Sequence, residues 1–252
     1  MNHVDSSRNT PEGRRGFTLV ELMLAMSFIS VLLIAIAMTI IQVSTIYTKG
    51  MTLKEVNQTG RDISTDVIRA VAASGKTDLA SDFVEVTSGS TLVGGRLCLG
   101  SSSYIWNYAA AIEAGNTRLT KYTPDDGTTI RLVRVPDGSR AYCAKGSDGQ
   151  LLAPNILPAD AATARELLRE GDRTLALHRF SIAANPAAYD QLTGQHLYRI
   201  SLTIGTQRTD LLAAPASPAD PLTCRTPAEL GSDFNYCTVQ DFSLVVRTGG
   251  GV

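Results

Sequence analysis

Between Leu22 and Thr48 the chain carries no charged residue over 27 consecutive positions. Wound as an α-helix, such a run is about 40 Å long, enough to cross the roughly 30 Å hydrocarbon layer of a bilayer. No other feature limits the fold so strongly, because so long an apolar run needs either a large core or a membrane to hide it. One carboxylate, Glu21, stands directly in front of the run. A charge beside apolar surface is costly unless it finds a partner. Its placement therefore bears on function as well as on anchoring.

The flanking charges set an orientation. Arg8, Arg14 and Arg15 precede the run, and the first charge after it is Lys49. The positive-inside bias places the short N-terminal part in the cytoplasm and everything beyond residue 50 outside. Residues 1–16 are polar and include Pro11, Gly13 and Gly16, so no packing is expected of them. Three readings of this segment compete. Ala35-Ile36-Ala37 is a small-x-small triplet of the kind a signal peptidase cuts, which would leave a secreted chain starting at Met38. An uncut single-span anchor is the second. Cleavage between Gly16 and Phe17, ahead of the run, is the third. The length of the run favours an anchor over a signal peptide, but an anchor alone explains neither Glu21 nor the glycine before Phe17.

Gly16-Phe17-Thr18-Leu19-Val20-Glu21-Leu22, preceded by Arg14-Arg15, resembles the processing site of type IV pilins and of the pseudopilins of type II secretion systems. That motif is a glycine, a phenylalanine, a threonine-leucine-hydrophobic stretch and a glutamate, after basic residues. The resemblance covers about 30 residues, from Arg14 to about Ile46. It implies that a prepilin peptidase cuts after Gly16 and that Phe17 becomes an N-methylated N-terminus. The mature chain would then have 236 residues, 252 less 16. Glycine suits the site because it offers a bare backbone to a protease cleft. The resemblance also implies that Glu21 meets the N-terminal amine of a neighbouring subunit. A carboxylate in an apolar stripe needs a cation, and a freshly exposed amine supplies one. The bland alternative is that Glu21 snorkels to the interface.

Helical periodicity continues beyond the run. Leu53, Val56, Gly60, Ile63, Val67 and Val71 recur at spacings of three and four and share one face. Lys54, Glu55, Arg61, Asp62, Asp66 and Arg69 lie between them, with Asp66 and Arg69 placed to pair on the solvent side. A helix from about Phe17 to Ala73 is expected, with Gly50 and Gly60 as its weak points. Ser74 to Asp78 should end it in a cap and turn. Gly75-Lys76-Thr77 lacks the upstream glycine of a phosphate loop, so nucleotide binding is not expected.

From residue 82 the pattern changes to short strands and turns. Strands are expected at Phe83–Val86, Leu92–Leu99, Ser102–Tyr108, Thr129–Val135, Arg173–Ile182, Leu197–Ile204 and Cys237–Arg247. Ser139–Lys145 should return across the Pro136-Asp137-Gly138 turn to make a hairpin. Ala159–Arg169 should be a short surface helix, and Thr206–Gly231, with four prolines, a long ordered loop. In Leu197–Ile204 the residues Tyr198, Ile200, Leu202 and Ile204 alternate cleanly with polar ones. The expected organisation is a leader (1–16), an apolar half-helix (17–48), an amphipathic half-helix (49–75) and a head (76–252). The fold class is α+β: a long N-terminal helix packed against an antiparallel, pilin-like head of about 175 residues with one core.

All four cysteines, Cys98, Cys143, Cys224 and Cys237, fall on the expected outer side, and an even count there reads as two disulfides. Three connectivities are possible. Cys98 with Cys143 and Cys224 with Cys237 is favoured, the second bridge closing a short loop that resembles the disulfide-bounded region of many type IV pilins. A zinc site needs tighter cysteine pairs than the shortest spacing of 13.

No metal, cofactor or catalytic residue is expected. His3, His178 and His196 are the only histidines and read as core or surface residues. Asp125-Asp126-Gly127 reads as a turn, since the calcium-loop ligand ladder is absent. Tyr189-Asp190 forms no visible triad. A net charge of −1 and ordinary surface arginines (Arg131, Arg134 and Arg140) argue against a nucleic-acid receptor. Tyr104, Trp106 and Tyr108 share one face of a strand and read as core or subunit contact. The large head, and Arg61-Asp62-Ile63 just beyond the run, resemble the minor pilin W and pseudopilin J families. The resemblance thus implies a non-enzymatic, minor structural subunit of a type IV pilus. The alternatives are a minor pseudopilin, a component of a DNA-uptake pilus, or a simple membrane-anchored binding protein. Its implied partners are the prepilin peptidase, other major and minor pilins or pseudopilins, the inner-membrane assembly platform and the cytoplasmic membrane.

Overall fold

The computed structural model describes residues 16–75, 79–123, 127–168, 174–184, 197–217 and 220–248. Asp125, Asp126, Tyr189, Asp190, His3 and His196 lie outside them. The fold is α+β, with a long N-terminal helix and two antiparallel sheets. Helix α1 spans Leu19–Ala73, and α2 (Leu79–Asp82) and α3 (Ala109–Glu113) are short. The chain forms two compact units, Met1–Ile46 and Tyr47–Val252. The first holds the apolar part of α1, whose large side chains are exposed.

In the second unit, the amphipathic part of α1 is a core element. Thr52, Val56, Gly60, Ile63, Ser64, Val67, Ala70 and Val71 are its buried residues. Leu53, expected on this stripe, is exposed. Thr52, one turn before Val56, takes the inner position, and its hydroxyl bonds to the Thr48 carbonyl at 3.0 Å. Asp66 does not pair with Arg69. It turns inward to Arg134 Nη1 at 2.8 Å and accepts from the Tyr104 hydroxyl at 2.8 Å. Neither Gly50 nor Gly60 interrupts the helix.

The first sheet runs β1 (Phe83–Ser88), β2 (Thr91–Cys98), β3 (Ser102–Asn107), β4 (Leu132–Pro136) and β5 (Arg165–Glu166), antiparallel throughout. Both of its faces are covered, so β3 is buried at all six positions. Leu97, Tyr104, Trp106 and Leu132 join α1 in one core, while Ile105, Val133 and Val135 pack with Tyr142 and the Cys98–Cys143 pair on the other side. The aromatic face is core: Trp106 lies 4.4 Å from Phe180, ring centre to ring centre. Gly95 permits this, because a Cβ there would approach the Trp106 ring to 2.5 Å. The second sheet is β6 (Leu175–Ala184), β7 (Leu197–Thr206) and β8 (Val239–Arg247). Tyr198, Ile200, Leu202 and Ile204 of β7 face the shared core, as their alternation predicts.

Two expected elements differ. Residues 139–145 do not pair with β4. They make a 3-10 turn, Ala141–Cys143, entered through Arg140 in the left-handed region at φ 56°. The buried Asp137 carboxylate explains this, since it accepts from the backbone of Ala141 (2.9 Å) and Tyr142 (3.3 Å) and from the Ser103 hydroxyl (2.6 Å). Side-chain bonds of this kind compete with a strand ladder. The helix expected over 159–169 is, over its described residues 159–168, a turn leading into edge strand β5. There the Glu166 carboxylate accepts from the backbone N–H groups of Leu132 (2.8 Å) and Arg131 (3.2 Å), and Leu168 is fully buried.

A buried arginine holds the outer layer to the sheet. The Arg96 guanidinium donates to the carbonyls of Tyr142 (2.9 Å), Pro154 (2.8 Å) and Ala153, and to the Thr120 hydroxyl at 3.5 Å. Burial lowers its pKa to about 10, so it stays a cation at neutral pH.

Candidate functional site

The residues implied in processing sit in sequence order at the head of α1. Gly16 and Phe17 precede the helix and are exposed, Phe17 at 81 %. A Cβ built on Gly16 meets no described residue within 4 Å, so packing among the described residues does not require glycine there. Thr18 is the residue before the helix. Its hydroxyl accepts from the Glu21 N–H at 3.2 Å, and the Glu21 carboxylate accepts from both the Thr18 N–H and its hydroxyl at 3.3 Å. This is a reciprocal capping box, which satisfies two backbone donors that the first turn leaves open. The acidic side chain also complements the positive end of the helix dipole. Sequence reasoning missed Thr18, although threonine followed three residues later by glutamate, ahead of an apolar run, is the legible signature.

Behind the cap, the hydroxyls of Ser27, Ser30, Thr39 and Thr45 bond within the helix. Ser27 donates to the Met23 carbonyl at 2.9 Å, Ser30 to Met26 at 2.8 Å and Thr45 to Ile41 at 2.9 Å. A hydroxyl that is self-satisfied in this way can face hydrocarbon. The helix is long and apolar enough to cross a membrane. Glu21 is the exception in the segment, a carboxylate with acceptor capacity beyond its own cap. The four cysteines lie elsewhere, in the head, as the disulfides Cys98–Cys143 and Cys224–Cys237.

The chain matches no family model, no curated protein and no solved structure. Its own geometry is therefore what bears on function. Among the described residues no group of three His, Cys, Asp or Glu side chains could hold a metal. The three arginines weighed for a nucleic-acid surface each have a partner within the head. Arg134 pairs with Asp66, Arg140 with Asp82 at 2.9 Å, and Arg131 donates to Gln207 at 3.3 Å. A cleft of about 490 Å³ beside β1 and β2 is lined by Glu85, Arg96, Arg118 and Lys145, with neither His nor Cys among the described residues of its walls. Arg118 is spent on the Thr87 carbonyl (2.8 Å) and on Gln150.

The disulfide ring at 224–237 has a feature the sequence did not signal. The Lys49 ammonium donates to the carbonyls of Phe234, at 2.9 Å, and Cys237, and stands 4.2 Å from the centre of the Phe234 ring. The first charge beyond the apolar run is thus turned inward to hold this ring.

Proposed function

We propose that the chain is a non-enzymatic structural subunit, of the minor kind, of a type IV pilus. It is processed after Gly16 and assembled through α1. One observation carries the reading: a glycine–phenylalanine junction behind two arginines leads into a membrane-length helix whose first turn bears a solitary exposed carboxylate. Glu21 accepts a cation in this reading, namely the methylated amine of Phe17 in a neighbouring subunit. Such a pair in an apolar setting is stronger than in water and discriminates register, since an unpaired carboxylate there is costly. The basic residues before Gly16 keep the leader in the cytoplasm and the head on the other side. Two disulfides suit an oxidising compartment.

Mass spectrometry of the N-terminal peptide tests this, comparing sheared surface filaments with membranes. Methyl-Phe17 in the sheared fraction, at a low ratio to a major subunit, is the expected result. An intact Met1 or a start at Met38 would overturn the proposal. The pseudopilin reading draws on Arg61-Asp62-Ile63 and predicts methyl-Phe17 confined to the membrane fraction, with secretion lost on deletion.

A further inference from the structure

We infer that the Cys224–Cys237 ring is a membrane-interface foot, which seats the head on lipid headgroups through Leu230, Phe234 and Tyr236 while the subunit is still in the bilayer. The inference rests on the membrane-spanning reading of α1. Beyond α1, seven large apolar side chains are exposed among the described residues, and three of them belong to this ring: Leu230 at 96 %, Phe234 at 43 % and Tyr236 at 46 %. The other four, Leu92, Leu152, Leu157 and Val245, are scattered along the chain.

Lys49 fixes where the ring sits. It is the residue immediately after the charge-free run, and its ammonium is tied to two ring carbonyls. The headgroup layer adds roughly 5–7 Å on each side of the hydrocarbon. The run, at about 40 Å, spans hydrocarbon plus both headgroup layers, so Lys49 falls at the outer edge of lipid. A lysine there ordinarily reaches toward headgroups, but this one holds the ring at that level instead. The path into strand β8 places the ring against the Lys49 end of the amphipathic part of α1. Cys237 meets Lys49, and five residues later Phe242 meets Gly60, eleven positions further along α1. The chain leaving the ring therefore runs along α1 away from Lys49.

The ring is also stiff. Arg225 donates to the Leu230 carbonyl at 3.0 Å, Glu229 accepts from the Thr226 hydroxyl at 3.0 Å, and the N–H of Cys237 reaches the Asp233 carbonyl at 2.9 Å. Apolar and aromatic side chains presented on a braced loop lose little freedom on insertion, and aromatic residues favour this layer.

The test uses the full chain reconstituted in phosphatidylcholine/phosphatidylglycerol vesicles, with tryptophan emission read against brominated lipids. The one native tryptophan, Trp106, is buried in the core and serves as the background. Leu230→Trp is expected to lose emission to lipids brominated near the headgroup, Ile34→Trp to lipids brominated deep in the chains, and Val245→Trp to neither. Adding Lys49→Met should reduce the Leu230→Trp loss. If Ile34→Trp is quenched and Leu230→Trp is not, the foot is wrong and the span stands. If Ile34→Trp is not quenched, the span fails and the foot with it. A Leu230→Trp blue shift that depends on protein concentration, without lipid quenching, would assign the ring to a second copy and overturn the proposal.

Discussion

A Cβ placed on Gly60 would lie 2.1 Å from the ring of Phe242, which sits on the last strand of the chain. Glycine here is a packing requirement, because the Phe242 ring occupies the space a side chain would take. Alanine at 60 should gain about 1 kcal/mol of helix propensity but suffer overpacking of about 1–3 kcal/mol. Gly60→Ala is therefore expected to lower stability in denaturant melts, and Phe242→Leu in the same chain to recover part of the loss. Additive effects of the two changes would contradict the contact.

Glu21 caps α1, and on the proposed function it also accepts a cation; one substitution separates the two. Glutamine keeps the shape and hydrogen bonding of a capping box but carries no charge. On the proposed function, Glu21→Gln and Glu21→Ala are both processed to the mature mass and both absent from sheared filaments. Normal incorporation of the glutamine variant would leave capping as the whole role of this residue.

Arg96 holds three backbone carbonyls of the outer layer from inside the core. Arg96→Leu leaves those acceptors buried without donors, so a loss of about 3 kcal/mol or more is expected. Arg96→Lys should not restore it, because a single ammonium cannot reproduce the spread of a planar guanidinium. Chemical denaturation of the three proteins in the same detergent decides the matter.

His178 predicts an acid-side slope. Its Nε2–H donates to the Thr206 carbonyl at 3.0 Å, and burial holds its pKa below the ordinary 6.5. The unfolded chain takes up a proton below that value while the folded chain does not. The contribution of His178 to stability is therefore complete above about pH 6.5 and erodes as pH falls beneath it. Between about pH 7 and about pH 5 the unfolding midpoint should fall more steeply for the native protein than for His178→Gln. Parallel slopes would remove His178 as the cause.

What was legible in the sequence was what local periodicity writes. The end of α1 at Ala73 and the alternation of Tyr198 to Ile204 follow from spacing alone. The misread segments are those governed by distant partners. Residues 139–145 alternate well enough for a strand, but Asp137, Ser103 and the bridge from Cys98 impose a turn. Residues 159–169 contain good helix formers, yet Glu166 is drawn to backbone donors more than 30 positions away, and Leu168 is drawn into the core. Thr52 displaced Leu53 because the position on the helix, more than the polarity of one side chain, decides what faces inward. Around the junction, the capping box was readable from Thr18 and Glu21. The hold of Lys49 on carbonyls 185 and 188 positions later was not.

The closure of Phe242 over Gly60 joins residues 182 positions apart, 242 less 60. The apolar stripe from Val56 to Val71 is synthesised before β8, whose Phe242 packs on it at Gly60. Contacts so distant in sequence form slowly. Until β8 emerges, the stripe lacks its cover at Gly60, so a chain that stops before β8 leaves that part of it open. Quality control can thus read the arrival of β8 from that stripe, with termination ahead of it marked by a surface that the folded head hides.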